Sequence, residues 1–251
     1  MTKIIALFNQ AGGVAKTTVT QNLGYHLAQR GHRVLLVDMD PQASLTSFMG
    51  IEAAELEKTV LEALVNEEPL VILPDLYGMA LAPSNINLCA AEIALVNLDF
   101  REMRLKNALA PIQSQFDFIL IDCPPSLGIL SYISLIAATY VLVPVETQFK
   151  SYLGTDLLLS TVNRIKKRGN PSLAIAGIVP TKFSSSNSQD QRALKAVQEQ
   201  LSPLVKVFEP LKRSTAFADA TEQMRPLALY QPKHPALVIF EAIASHLETL
   251  P

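Results

Sequence analysis

One run near the start constrains the fold more than any other stretch: Asn9-Gln10-Ala11-Gly12-Gly13-Val14-Ala15-Lys16-Thr17-Thr18. Ahead of it, Ile4-Ile5-Ala6-Leu7-Phe8 is continuously apolar, as a strand covered on both faces requires. After it, Val19, Leu23, His26 and Leu27 recur at helical spacing until Gly31. A strand, a glycine turn, Lys-Thr and a helix, in that order, predict a phosphate-binding loop. Backbone N–H groups of such a turn and of the helix N-terminus point at a bound anion. Lys16 supplies a point charge to the β- and γ-phosphates, and the Thr17 hydroxyl a ligand to magnesium. Ala15 stands where the usual loop has its last glycine, so the pattern alone is imperfect.

Further apolar runs follow at Val34–Val37, Phe118–Ile121, Tyr140–Val145 and Ala174–Val179, separated by helical patterns. Strands alternating with helices predict an α/β fold, a doubly wound, mostly parallel twisted sheet with helices on both faces. At 251 residues the chain is expected to form a single domain, 1–251. Between Leu70 and Ala82 two short strand-like pieces flank Pro74-Asp75 and are expected at the sheet edge. Leu95, Leu98, Leu105 and Leu109 suggest one helix leading into the Phe118 strand. Ser184 to Ser188 reads as a mobile polar loop before a helix from Gln189 to Leu201. Leu237, Phe240, Ile243, Leu247 and Leu250 trace a closing amphipathic helix.

The bulk properties exclude some classes. A formal net charge of −2 rules out nucleic-acid binding through overall basicity, so any such contact needs a local patch. Cys89 and Cys123 are too few for a disulfide framework and form no CxxC, which favours a reducing cytoplasm. No secretory segment is expected at the N-terminus. The most apolar stretch, Tyr132 to Val145, is too short to span a bilayer and contains Pro144, so no membrane anchor is expected. The four histidines show no metal-ligand spacing.

Two of the buried strand patterns end in carboxylates. Val34-Leu35-Leu36-Val37 runs into Asp38-Met39-Asp40-Pro41-Gln42, and Phe118-Ile119-Leu120-Ile121 into Asp122-Cys123-Pro124-Pro125-Ser126. Ligands of open α/β sheets sit at the carboxyl ends of the strands. Asp38, Asp40 and Asp122 are therefore expected to converge on the loop, one orienting an attacking water and another holding magnesium through its water shell.

Together, Gln10 to Thr18, Asp38 to Gln42 and Asp122-Cys123-Pro124-Pro125-Ser126-Leu127-Gly128 resemble the ParA/MinD family of deviant Walker ATPases. The resemblance extends through Val143-Pro144-Val145 and Gly154, and from Lys212-Arg213-Ser214 to Asp219-Ala220, so it covers nearly the whole chain. It implies ATP and Mg2+ as ligands and an ATP-sandwich homodimer. It also implies non-specific binding of nucleoid duplex DNA, with a cargo adaptor stimulating hydrolysis. By resemblance, Asp38 positions the water, Asp122 is an indirect magnesium ligand, Thr17 binds magnesium, Thr18 contacts the α-phosphate, and Asp40 supports the site. Lys182 and Arg213 are expected to flank the adenine.

The departures matter as much. The family pattern is Lys-Gly-Gly-Val-Gly-Lys-Thr-Thr, whose first lysine reaches the partner's phosphates, and this chain has Ala11 there. Removing one of two cations facing a triphosphate weakens ATP-bound dimerisation unless another replaces it. Lys150 is the expected replacement, with Lys182 next. An absent loop lysine resembles the maintenance-of-carboxysome-distribution (McdA) branch of the family, which implies carboxysomes as cargo. A plasmid or chromosome partitioning ATPase is the alternative, and a non-catalytic nucleotide-dependent scaffold a second. Where many relatives carry a DNA-binding arginine this chain has Ala216. Arg192 and Lys195, on one face of their helix, with Lys206 and Lys212, are the candidate DNA contacts.

Overall fold

The computed structural model describes residues 1–147 and 160–251. Its strands are β1 (Lys3–Leu7), β2 (Val34–Asp38), β3 (Leu73–Leu76), β4 (Met79–Ala82), β5 (Phe118–Asp122), β6 (Tyr140–Glu146) and β7 (Ala174–Thr181). They form one sheet in the order β3-β4-β2-β5-β1-β6-β7, parallel throughout except for the β3–β4 pair. The five runs read as buried strands are β1, β2, β5, β6 and β7; the first four are interior to the sheet and β7 closes one end of it. β2 and β5 are buried at every residue, which explains their unbroken hydrophobicity.

Helices cover both faces. On one, α1 (Lys16–Gln29) packs with the C-terminal helix Ala236–Thr249, burying Val19, Leu23 and Leu27 with Phe240, Ile243 and Leu247. On the other, α3 (Val60–Val65), α4 (Leu88–Ala94), α5 (Arg104–Leu109) and α6 (Ile129–Ala137) cover a second core built on Leu35, Val37, Ile119 and Ile121. Between them in sequence lies the short α2 (Ser44–Phe48). Gly24 lets α1 press onto the sheet: a Cβ there would stand 2.7 Å from Leu36 Cδ2 and 2.9 Å from Met79 Sδ.

Two local expectations are corrected. The two strand pieces do form the sheet edge, but Pro74 and Asp75 lie inside β3 rather than between the strands. Leu76 pairs with Met79, so the turn is Tyr77-Gly78, both left-handed at φ 56° and 80°. Such paired left-handed residues are what a two-residue hairpin requires, and a proline is tolerated on an edge strand. The Leu95–Leu109 pattern is not one helix: α4 runs into a 3-10 turn at Leu95–Asn97, and Phe100 at φ 52° breaks the path before α5. Ser184 to Asn187 is a loop, as read, and leads into the helix Ser188–Leu201. Asn187 caps that helix through Gln189 N, Asp190 Oδ2 accepts from Ser184 N at 2.9 Å, and Gln191 donates to Ser185 O.

Candidate nucleotide site

The loop after β1 emerges where the chain's crossovers diverge to opposite sides of the sheet, the crevice in which open α/β proteins bind ligands. Asn9 anchors its base, donating from Nδ2 to Pro144 O at 2.8 Å and accepting from Ala11 N at 2.9 Å. Gly13 and Ala15 take left-handed backbone, φ 73° and 68°, so the alanine replacing glycine sits in a strained conformation. Gln10 is half-buried and Ala11, Gly12 and Gly13 are exposed, whereas Val14 is buried. Lys16 is buried and curls over the loop, its Nζ donating to Asn9 O and Ala11 O, each at 3.0 Å. Burial pulls its pKa below the usual lysine value, against the opposing pull of Asp122.

Asp38 and Asp122 end neighbouring strands in register. Asp122 accepts from Thr17 Oγ1 at 2.7 Å and from Thr20 Oγ1 at 3.3 Å. Burial and the nearby Asp38 push its carboxyl up to about 8. Asp38 accepts from Thr46 N and Oγ1 at 2.9 and 2.8 Å, and from Asp40 N at 3.1 Å. Burial pushes it up to about 6, these bonds opposing. Asp40 is half-buried at the same edge, its Oδ1 accepting from Gln42 N and its carbonyl from Ser84 Oγ. The loop, Asp38, Asp40, Thr17 and Asp122 thus meet as the motifs predicted.

A hydroxyl beside buried carboxylates is an oxygen-only donor set, the kind a hard divalent cation takes. Among the described residues, no cluster of three or more His, Cys, Asp or Glu forms a protein-only cage. The Thr17 hydroxyl and the Asp122 carboxylate beside it suit magnesium, which binds through one or two protein oxygens and keeps waters and phosphate oxygens for the rest. Thr17 and, through water, Asp38 and Asp122 are the residues that fit it.

Behind the loop opens a cavity of about 730 Å³, lined by Ala15, Thr18, Phe48, Glu146 and Phe217, with Lys182 and Arg213 at its side. That size falls within the range of small-molecule sites. Lys182 Nζ and Arg213 Nη2 each lie 3.9 Å from Glu146 Oε1. The two expected base-flanking residues are therefore on the lining. The sequence reading missed Thr46, Thr20 and Glu146. Thr20 has a usable signal, since it lies one helical turn after Lys16; the others meet the site only through the tertiary fold.

The DNA candidates divide. Arg192 and Lys195 are exposed on one face of their helix, opposite buried Ala193, Val197 and Leu201, with Lys195 ion-paired to Glu199 at 3.6 Å. Lys206 and Lys212 flank an extended segment bridged to β7, Lys206 exposed near its start and Lys212 on the cavity rim. Lys150 and Gly154 lie outside the described residues.

A family model described as an AAA domain matches residues 2–175. The chromosome partitioning protein ParA of Myxococcus xanthus is 36% identical over 249 residues, spanning 98% of this chain and 87% of its own. The structure of a Mycobacterium smegmatis cobyrinic acid a,c-diamide synthase with an ATP analog and magnesium is similar at TM-score 0.86 and 32% identity, covering 99% and 97% of the two chains. The ATP complex of a Cyanothece McdA variant is similar at TM-score 0.89 and 26% identity, covering 100% and 98%.

Proposed function

The chain belongs to the ParA/MinD family of P-loop ATPases, and on that premise we propose that it positions intracellular cargo along nucleoid DNA through ATP-dependent dimerisation. It hydrolyses ATP with Mg2+. The observation that carries the reading is the convergence of the Lys16 loop with Asp38 and Asp122 at two neighbouring strand ends.

The chain's own groups divide the work. Loop N–H groups and Lys16 hold the phosphates, Lys16 moving its ammonium from two loop carbonyls to the anion. Magnesium, when bound, neutralises charge developing on the transferred phosphoryl group. Thr17 is the ligand its position offers, aligned by its bond to Asp122. Asp38 orients the attacking water, and Thr46 fixes the carboxylate's direction. Arg213, on the cavity lining, borders the base.

Homodimerisation is supported by an apolar surface beside this site. Ile86, Ile93, Val96, Phe100 and Leu127 are 62, 77, 58, 77 and 45% exposed. Leu127 belongs to the loop after Asp122, and a Cβ on the neighbouring Gly128 would stand 2.9 Å from Glu92 of α4, so these segments adjoin. Exposed large apolar side chains on adjoining segments suit contact with a second copy of the chain. Duplex DNA binding draws on Arg192 and Lys195, aided by Lys206 and Lys212. Among the described residues no helix is long and apolar enough to cross a membrane, and DNA is the surface the reading assigns.

The cargo reading is the carboxysome, through an McdB-like adaptor, and rests on Ala11 in place of the loop lysine and on the structural likeness to McdA. The 36% identity to a chromosome partitioning protein favours the alternative, a plasmid or chromosome segment as cargo. A fluorescent fusion imaged in the source cells separates them. Loss of even carboxysome spacing on deletion supports the first, and loss of locus segregation with carboxysomes unaffected supports the second. Random duplex DNA bound equally well with and without ATP would sink both.

A further inference from the structure

Ala11 leaves the phosphate loop one cation short, and the fold brings another to it. Lys182 directly follows β7 and carries left-handed backbone, φ 54°, rare for a lysine. Three bonds fix that bend: Thr147 N to Thr181 O at 3.1 Å, Phe183 N to Leu211 O at 3.1 Å, and Thr181 Oγ1 to Val14 O at 3.1 Å. The last ties the strand end to the phosphate loop itself. The side chain is thereby sent over the loop, and its Nζ stands 3.7 Å from where a Cβ on Gly13 would be.

The ammonium is loosely held there. It lies 3.9 Å from Glu146 Oε1, at the outer edge of an ion pair, and its side chain is 41% exposed. Arg213 reaches the same oxygen at the same 3.9 Å, so two cations share one carboxylate. A long, partly solvated pair is weak, whereas a polyphosphate presents several charged acceptors within a lysine's reach.

We infer that Lys182 is the second phosphate-facing cation of this site, parked on Glu146 until a nucleotide draws it onto the phosphates. The inference rests on the ATP-site reading above and deepens it: Glu146 becomes a competitor of the nucleotide, and removing its charge favours binding. A residue that merely braced the cavity, or that packed on the base, would behave otherwise.

The test is binding of fluorescent AMP, ADP and ATP to the full chain and to Lys182→Ala, Lys182→Arg, Glu146→Gln, the Lys182→Ala/Glu146→Gln double variant and Lys16→Ala, each checked for folding by circular dichroism. Lys182→Ala should weaken ATP about tenfold, ADP less and AMP little, with Lys182→Arg restoring most of the loss. Glu146→Gln should tighten ATP about threefold, and the double variant should lose that gain. An equal effect of Lys182→Ala on all three nucleotides, no effect on any, or weakened binding in Glu146→Gln would overturn the inference. Lys16→Ala separates the two levels. If it binds ATP like the wild type, the ATP-site reading itself fails; if it loses ATP while Lys182→Ala does not, only the role of Lys182 fails.

Discussion

Asp38 and Asp122 stand as register partners on β2 and β5, 0% and 1% exposed, two buried carboxylates side by side at the mouth of one phosphate loop. Asp38 pushes Asp122 toward its neutral form, on top of the larger effect of burial, and burial and then Asp40 do the same to Asp38 against its hydrogen bonds. Such a pair is costly to the folded chain unless a cation shares it.

Asp38→Ala should leave ATP affinity within about threefold and slow phosphate release by at least about 100-fold, since general-base positioning is worth that much. Thr46→Ala, which removes the hydroxyl aiming Asp38, should lower kcat with little change in KM. Colorimetric phosphate assays with DNA present read both, and a wild-type rate in Asp38→Ala would remove Asp38 from the mechanism.

Asp122→Asn should act differently. The amide keeps the volume and can still accept from Thr17, but it lacks the charge that supports a divalent cation. The magnesium concentration giving half-maximal ATP binding should rise by about tenfold. An unchanged magnesium titration would assign Asp122 to architecture alone.

Ala15→Gly should stabilise the fold. At φ 68° an alanine suffers the left-handed penalty that glycine escapes, a gain of about 1 kcal/mol before glycine's extra unfolded-state entropy offsets part of it. Urea titration should place the midpoint above wild type, and a lower midpoint would mean the loop needs the methyl group.

Arg192→Ala/Lys195→Ala should weaken ATP-dependent binding to random duplex at every sequence and reduce the salt slope by about 2. The Lys195–Glu199 pair is exposed on both sides, so thermal stability should barely move. Full affinity for DNA would clear this face of the role.

The acid limb of stability should depend on Asp117 and Glu248. Hydrogen bonds from Arg33 hold Asp117 down to about 2, and those from Arg30 and then His32 hold Glu248 at about 2. Because both folded values lie below the unfolded ones, 3.8 and 4.5, their support is complete above about pH 5 and is lost as pH falls toward 2. Asp117→Asn should flatten the fall in melting temperature between pH 5 and pH 2, a range of about three units. An unchanged slope would show the Arg33 pair is too solvated to matter.

What was legible in the sequence was local. β1, the Gly12-Gly13 turn and Lys16-Thr17 are consecutive, so strand, loop and helix could be read as one unit, and the carboxylates declared themselves by ending apolar strands. The edge hairpin was misread because Pro74-Asp75 is the stronger turn signal, while Tyr77-Gly78 makes the turn. The Leu95–Leu109 face was apolar, but periodicity cannot register a single left-handed Phe100. Thr46 and Glu146 were invisible, since each meets its partner only through the tertiary fold.

The close seat of α1 at Gly24 has a mechanical consequence. With Leu36 and Met79 pressed where a side chain would be, this helix can neither slide nor roll without dragging β2 and the edge hairpin along. Movement on nucleotide binding is therefore expected in the segments hanging on the two carboxylates rather than in this helix. One of these is already strung together, Thr46 Oγ1 accepting from Ser84 N and Ser84 Oγ donating to Asp40 O. The other passes from Asp122 to Gly128, against Glu92 of α4 and toward the exposed apolar surface. A distant partner would sense the nucleotide by the lie of these two straps, and the frame beneath them would stay still.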